Sequence, residues 1–231
     1  MIEITNKSLK GTTFIDLFAG LGGFRLALES LGSSCLYSNE WDKKAQETYK
    51  MNFGVIPDGD LTKVDERNIP KHDILCAGFP CQAFSVSGKR LGFEDARGTL
   101  FFEVARIVKE KKPKVVFMEN VKNFSTHDNG RTLEVVKSTM NELGYSFNAK
   151  VLNAADYGVP QKRERTYMVC FRNDIDSSKF NFPDAIPLKR YVRDVLSQES
   201  ECERLFTDRT DIILDNDKMN ASSVTSPIRI G

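Results

Sequence analysis

Apolar residues in this chain fall in short continuous runs, and stretches with helical period lie between them. Thr12 to Phe18, TTFIDLF, is β-branched and aromatic and predicts a strand. AGLGGFRLALESLG then turns through glycines into an amphipathic helix closed by Gly32. CLYSNE predicts a second strand, VIPDGDLTKVD offers a third, Ile74 to Ala77 a fourth and KVVFMENV a fifth. The fifth is a continuous apolar run, as expected for a parallel strand covered on both faces. GTLFFEVARIVKEKKP and RTLEVVKSTMNELG have helical period, stopped at Pro113 and Gly144, and YSFNAKVLNA and RTYMVCFR predict two more strands. This alternation predicts an α/β fold with a doubly wound, mostly parallel sheet. Beyond about Phe182 prolines and charge runs leave only scattered apolar residues, so the expected boundary follows residue 193. Residues 194–231 read as a linker and the beginning of a second, small domain.

Composition narrows the function classes. The 231 residues carry 33 Lys and Arg against 32 Asp and Glu, a net charge of +1, so a nucleic-acid surface must be a local patch. Five cysteines with no CxxC pair fit neither a disulfide framework nor a zinc site, and no metal is expected. A reducing cytoplasm follows. MIEITNKSLKG lacks an apolar signal core, and no segment is long and apolar enough to cross a bilayer, so a soluble protein with no membrane partner is expected.

Candidate chemistry gathers at the predicted carboxyl ends of the strands, where open α/β sheets hold their ligands. After Ile74–Ala77 the chain breaks at Gly78 and Pro80 into a polar, Gly-rich loop carrying Cys81. A thiolate there is a strong nucleophile; the alternative is a small buried hydrophobe, which suits Cys35, Cys76 and Cys170 better. Gly20, Gly22 and Gly23 allow a ligand to approach the first helix, although a tight turn without a ligand reads the same. Glu40 stands where an acidic side chain can accept both hydroxyls of a ribose. Trp41 can stack on an adenine face or start a helix by packing into the core. Asp60 can take the adenine amino group or belong to an ordinary turn. Glu119, ending the fifth strand, is a candidate acid or hydrogen-bond partner for a substrate, or else a helix N-terminal charge. Lys162, Arg163 and Arg165 form a basic knot suited to phosphate or a base carbonyl, or a solvated turn.

Taken together, FIDLFAGLGGFR, SNEW, GFPCQAFS, ENV and QKRERTYMV resemble, in order and from Phe14 to about Phe171, the DNA (cytosine-5) methyltransferase family. The resemblance implies a Rossmann-like fold that binds S-adenosylmethionine, and methyl transfer to carbon 5 of cytosine in duplex DNA, as in bacterial restriction-modification systems. It makes Cys81 the nucleophile toward carbon 6 of cytosine and Glu119 the group bonding ring nitrogen 3 and the exocyclic amine. Arg165 would hold the base carbonyl, and Arg163 would orient the catalytic loop and a phosphate. It puts Phe18, Gly20, Leu21, Gly23, Glu40, Trp41, Asp60, Leu61, Pro80 and Leu100 at the S-adenosylmethionine site. Ser85, Ser87, Lys89, Arg97 and Lys162 would face DNA. It also implies a catalytic domain over 1–193 and the beginning of a target-recognition domain over 194–231. Family members continue into a full recognition domain and a closing helix, so a second chain supplying them is a further expected partner. A truncated or split-enzyme subunit is the alternative.

Other classes fit less well. Binding without turnover has no use for Cys81, Glu119 and Arg165 together. A thiol redox enzyme wants a resolving cysteine near Cys81, and a nicotinamide dehydrogenase wants GxGxxG.

Overall fold

The computed structural model describes residues 8–80, 100–189 and 191–194. Within them six strands form one sheet in the order β2-β1-β3-β4-β6-β5. They are β1 (Thr13–Leu17), β2 (Ser34–Asn39), β3 (Ile74–Ala77), β4 (Val115–Val121), β5 (Tyr145–Asn153) and β6 (Glu164–Arg172). β1 pairs in parallel with both β2 and β3, and β3 with β4. β6 runs the other way: Thr166 reaches the Val121 carbonyl while the Arg172 amide reaches that of Lys114. Ser146 bonds to Phe171 and Asn148 to Val169, so β5 and β6 form an antiparallel hairpin. The sheet is therefore mixed, its first four strands parallel.

Alternation along each strand builds two apolar layers. Ile15, Leu17, Leu75, Ala77, Val116 and Met118 share one core with α3 (Leu100–Lys111) and α4 (Arg131–Glu142). Phe14, Ile74 and Cys76 face the opposite side with Leu28 of α1 (Gly23–Ser30). Helices thus cover both faces, as the doubly wound expectation requires. Each αβ crossover buries a helix stripe made of the residues that gave the period away, such as Phe101, Val104, Ala105 and Val108.

The expected third strand is absent among the described residues. Its place is taken by a single parallel bridge, Asn39 to Asp58, held by Glu40 N–H on the Asp58 carbonyl (2.8 Å) and Asp58 N–H on that of Ser38 (2.9 Å). Pro57 and Gly59 flank the bridge and deny the segment a longer ladder. Between it and β2 lies α2 (Lys43–Phe53), capped by Asp42 accepting the Ala45 amide.

The chain divides into two compact units, Met1–Val151 with Thr166–Asn181, and Leu152–Arg165 with Phe182–Gly231. In the second, Asn153 closes the turn between β5 and β6: its Oδ1 accepts the Ala155 and Arg163 amides at 3.3 and 3.1 Å. The Tyr157 hydroxyl donates to the Pro183 carbonyl, and the Ile186 amide to that of Asp156.

The turn from β1 into α1 is fitted to its surroundings at Gly22. Its φ is +88°, and a Cβ there would overlap the Phe53 ring of α2 and approach that of Tyr49. Arg25 lies over the same two rings, 4.6 Å from the Phe53 centroid and 5.6 Å from that of Tyr49. Gly22→Ala is therefore expected to destabilise the chain by about 1–3 kcal/mol, combining overpacking with left-handed strain. Denaturant unfolding measures it, and a variant as stable as the parent would show that the α1–α2 contact is loose.

Candidate active site

At the carboxyl ends of the parallel strands the chain leaves β1 for β2 on one side, and β3 lies on the other. This is a topological switch point, the place where open α/β sheets hold their ligands. Two predicted positions, Phe18 and Glu119, converge on it beside Gly78. A Cβ built on Gly78, just past β3, would lie 3.8 Å from the Phe18 carbonyl, 3.9 Å from the Phe24 ring and 4.0 Å from Glu119 Oε2. The end of β1 and the carboxylate at the end of β4 therefore meet around a residue three before Cys81 in the sequence. Phe18 has a left-handed backbone (φ 55°), unusual for a non-glycine residue and frequent at sites.

Glu40 is buried and ties two loops together. Its Oε2 accepts the Gly20 amide at 2.8 Å and its Oε1 the Asp42 amide at 2.9 Å. Each oxygen keeps a further lone-pair direction, so a pair of ribose hydroxyls can still be accepted. Trp41 next to it is 77 % exposed, which removes the core-packing alternative and leaves an aromatic face in solvent. Asp60 lies alongside through the Asn39–Asp58 bridge. Its Oδ1 takes the Thr62 amide and hydroxyl at 3.0 and 2.7 Å, and these bonds, with Lys63 beside it, hold the carboxyl below its usual range. A Cβ at Gly20 or Gly23 would meet nothing within 4 Å. Open main chain, an exposed aromatic face and two carboxylates on neighbouring loops are the kinds of group that an adenosine calls for.

The other cofactor positions are placed less directly. Leu21 is exposed and its carbonyl accepts Asn52 Nδ2, whereas the Leu61 side chain lies in the core and its carbonyl holds Arg106 Nη2. Pro80 is exposed, and Leu100 starts α3 half-buried against the core. In the second unit Lys162 and Arg163 are exposed and Arg165 is half-buried, its Nη1 donating to the Glu164 carbonyl at 2.8 Å. Cys81, Ser85, Ser87, Lys89 and Arg97 lie outside the described residues.

Asp16 was not anticipated as a site residue. It sits mid-β1, opposite Ser38 and Cys76, fully buried on the α1 face. Burial pushes its carboxyl up to about 8; the Glu40 charge adds to the rise, while the Arg25 backbone and guanidinium oppose it. A lone acid inside the apolar run TTFIDLF was the available signal.

Residues 12–228 match the family described as C-5 cytosine-specific DNA methylase. The chain belongs to that family. It is 66 % identical over all 231 residues to type II methyltransferase M.HhaI of Haemophilus parahaemolyticus, spanning 70 % of that protein. It is 51 % identical over 189 residues to M.NgoBI of Neisseria gonorrhoeae and 53 % over 184 to M.HpaII of Haemophilus parainfluenzae, covering 82 % and 78 % of this chain but only 59 % and 51 % of those relatives. Among solved structures, a DNMT2 mutant from Spodoptera frugiperda overlays with a TM-score of 0.67 at 20 % identity, over 82 % of this chain and 60 % of that one. A putative DNA modification methyltransferase from an Escherichia coli prophage does so with 0.59 at 23 %, over 77 % and 53 %. At these identities the overlays speak for the fold. No helix among the described residues is long and apolar enough to cross a membrane.

Two outcomes follow from Glu40 and Asp16. Glu40→Ala is expected to cost roughly 1.5–3 kcal/mol of S-adenosylmethionine affinity, the worth of a charge-assisted hydrogen bond; calorimetric titration showing no change would remove Glu40 from the site. For Asp16, the folded carboxyl holds its proton up to about pH 8, whereas the unfolded one releases it near 3.8. Stability associated with the proton is fully present below the unfolded value and is lost as pH rises toward 8. Asp16→Asn should thus gain on the parent chain through that window and level off above it, as read by denaturant unfolding at several pH values. A difference independent of pH would show that Asp16 is charged throughout.

Proposed function

We propose that this chain transfers the methyl group of S-adenosylmethionine to carbon 5 of a cytosine turned out of duplex DNA, by way of a covalent bond from Cys81. Family membership supports the reaction class. The observation that carries the residue roles is the meeting of Phe18, Gly78 and Glu119 at the switch point, with the Cys81 loop leaving from the same strand end.

Carbon 5 of cytosine is a poor nucleophile, so the ring must first be activated. The Cys81 thiolate adds to carbon 6, and the electron pair of the carbon 5–carbon 6 bond becomes available at carbon 5. Glu119 assists by donating a proton or hydrogen bond to ring nitrogen 3, which draws charge out of the ring as the thiolate adds, and by accepting from the exocyclic amine. Arg165 holds the base carbonyl oxygen, and Arg163 with Lys162 takes phosphate. Bound S-adenosylmethionine supplies an electrophilic methyl on a positively charged sulfur. In this reading Phe18, Gly20, Leu21, Gly23, Glu40, Trp41, Asp60, Pro80 and Leu100 line its side of the crevice, with Leu61 behind them in the core. Loss of the carbon 5 proton and departure of the thiolate restore the aromatic ring and the free enzyme. A stacked base offers neither face to the thiol and the methyl donor, so the base is flipped at a cost of a few kcal/mol.

In this reading residues 1–193 form the catalytic domain and 194–231 the beginning of target recognition, with Ser85, Ser87, Lys89 and Arg97 on the DNA side. A second chain carrying recognition elements is a partner compatible with it. The cytoplasm is the fitting compartment, because thiol chemistry requires reduced cysteines.

The test is trapping with duplexes containing 5-fluorocytosine, in which fluorine blocks the final elimination. The expected product is a denaturation-resistant protein–DNA adduct whose mass maps to Cys81. Cys81→Ala should abolish it and leave S-adenosylmethionine affinity within about the few-fold range expected of a side chain that touches only the base. Equal loss of both would make Cys81 structural. Cofactor binding without an adduct, even with the recognition part of a relative added as a second chain, would favour binding without turnover.

A further inference from the structure

The side chain beside Glu119 breaks the pattern of its strand. Along β4, Val116 and Met118 are fully buried in the core shared with α3 and α4, and Asn120 follows them on the same side, only 2 % exposed. A third apolar residue would continue the row. A buried amide there costs roughly 1–3 kcal/mol unless its hydrogen bonds are satisfied, so its partners identify what it is for.

Both ends of the amide are engaged. Asn120 Nδ2 donates to the Phe79 carbonyl at 2.9 Å in a buried bond across 41 residues of sequence, and its Oδ1 accepts the Val121 amide at 2.8 Å. This arrangement sets the orientation of the amide, since a flip would put donor against donor and acceptor against acceptor. Phe79 is itself wedged between the rings of Phe101 and Phe124, at centroid distances of 5.8 and 5.7 Å. On the other side of the same strand end, the Thr166 hydroxyl of β6 lies 3.2 Å from the carbonyls of Val121 and Lys122. The carboxyl end of β4 is thus braced from two directions, and one brace runs to main chain two residues before Cys81.

We infer that Asn120 is a positioning residue: its bond to the Phe79 carbonyl couples the strand end bearing Glu119 to the main chain that leads into Cys81, and so sets the spacing between nucleophile and carboxylate. The inference rests on the reading that Cys81 and Glu119 act on one base. Successive residues of a strand point to opposite faces, so Asn120 itself faces the core while Glu119 faces the crevice. Its effect passes entirely through the backbone. Parallel strands β3 and β4 pair only as far as Ala77 with Met118, so beyond that point no ladder holds the two ends together and the side-chain bond takes over.

Asn120→Asp is the informative variant. It keeps the shape and the acceptor for Val121 N–H but, when ionised, turns an oxygen toward the Phe79 carbonyl in place of a donor. Protonated, the same carboxyl can donate again. The experiment measures the rate of 5-fluorocytosine adduct formation at saturating DNA and S-adenosylmethionine, with both ligands' affinities, for parent and variant across pH. The expected result is a loss of about 10- to 100-fold in adduct rate at neutral pH, the scale of a misplacement of about 1 Å at the reacting atoms. S-adenosylmethionine affinity should stay unchanged, and the variant-to-parent rate ratio should recover as pH falls. Should Asn120→Asp fail to fold, Asn120→Ser, which is neutral and too short to reach Phe79, gives the rate comparison without the pH arm. A folded variant with the parent's adduct rate, or parallel losses in rate and cofactor affinity, would overturn the inference. A parent chain that binds both ligands and forms no adduct would overturn the functional reading and the inference with it.

Discussion

Parallel pairing of β1 on both of its edges is the constraint from which the site follows. Because β2 and β3 run alongside β1 in the same direction, all three strands end at one edge of the sheet, and the chain must leave that edge on opposite sides. The loops that diverge there bound the gap in which open α/β sheets hold their ligands. Glu40 reaches that gap only because β2 lies beside β1. Gly78 and the root of the Cys81 loop reach it only because β3 lies on the other edge. Glu119 is added by one further parallel strand.

Side-chain bonds then hold the diverging ends where strand ladders cannot. Glu40 joins Gly20 to Asp42, Asn39 bridges to the carbonyls of Asp58 and Gly59, and Asn120 joins Phe79 to Val121. Each of these is a buried polar group with its partners supplied by backbone, so it stabilises the loops it spans at little net burial cost. The same bonds tie these loops together without a ligand, and loops already ordered cost less to order on binding. Asp16 differs in kind. It is a buried carboxyl that the fold keeps neutral to about pH 8, lying beneath the α1 turn on the same face as Arg25.

Family was thus carried by short stretches, and the same stretches suggested the chemistry that is proposed for them. A cysteine next to a proline after an apolar strand, a carboxylate ending another strand and a glycine turn followed by an acid were all readable one segment at a time. Residue type alone left open what each did besides. Glu40, proposed as a ligand acceptor, is also a structural tie between Gly20 and Asp42. The Leu61 side chain belongs to the core, and Trp41 stands in solvent instead of packing as a helix-start tryptophan often does.

What the sequence by itself determined were the properties set by near neighbours: hydrophobic period, helix stops at Gly32, Pro113 and Gly144, and the local chemistry of ENV and QKRERT. These depend on spacings of two to four residues, which any reader of the chain can count. Tertiary structure alone decided the properties set by residues far apart. The segment around Asp58 became a single bridge because Pro57 and Gly59 gave it no ladder to extend. Asp16 was titrated upward by a helix and a strand that pack over it. Asn120 found its partner 41 residues away, across a strand-end gap that no local pattern describes. Long-range pairing is paid for in loop-closure entropy and repaid by burial and hydrogen bonding, and that balance is struck only once the sheet has assembled.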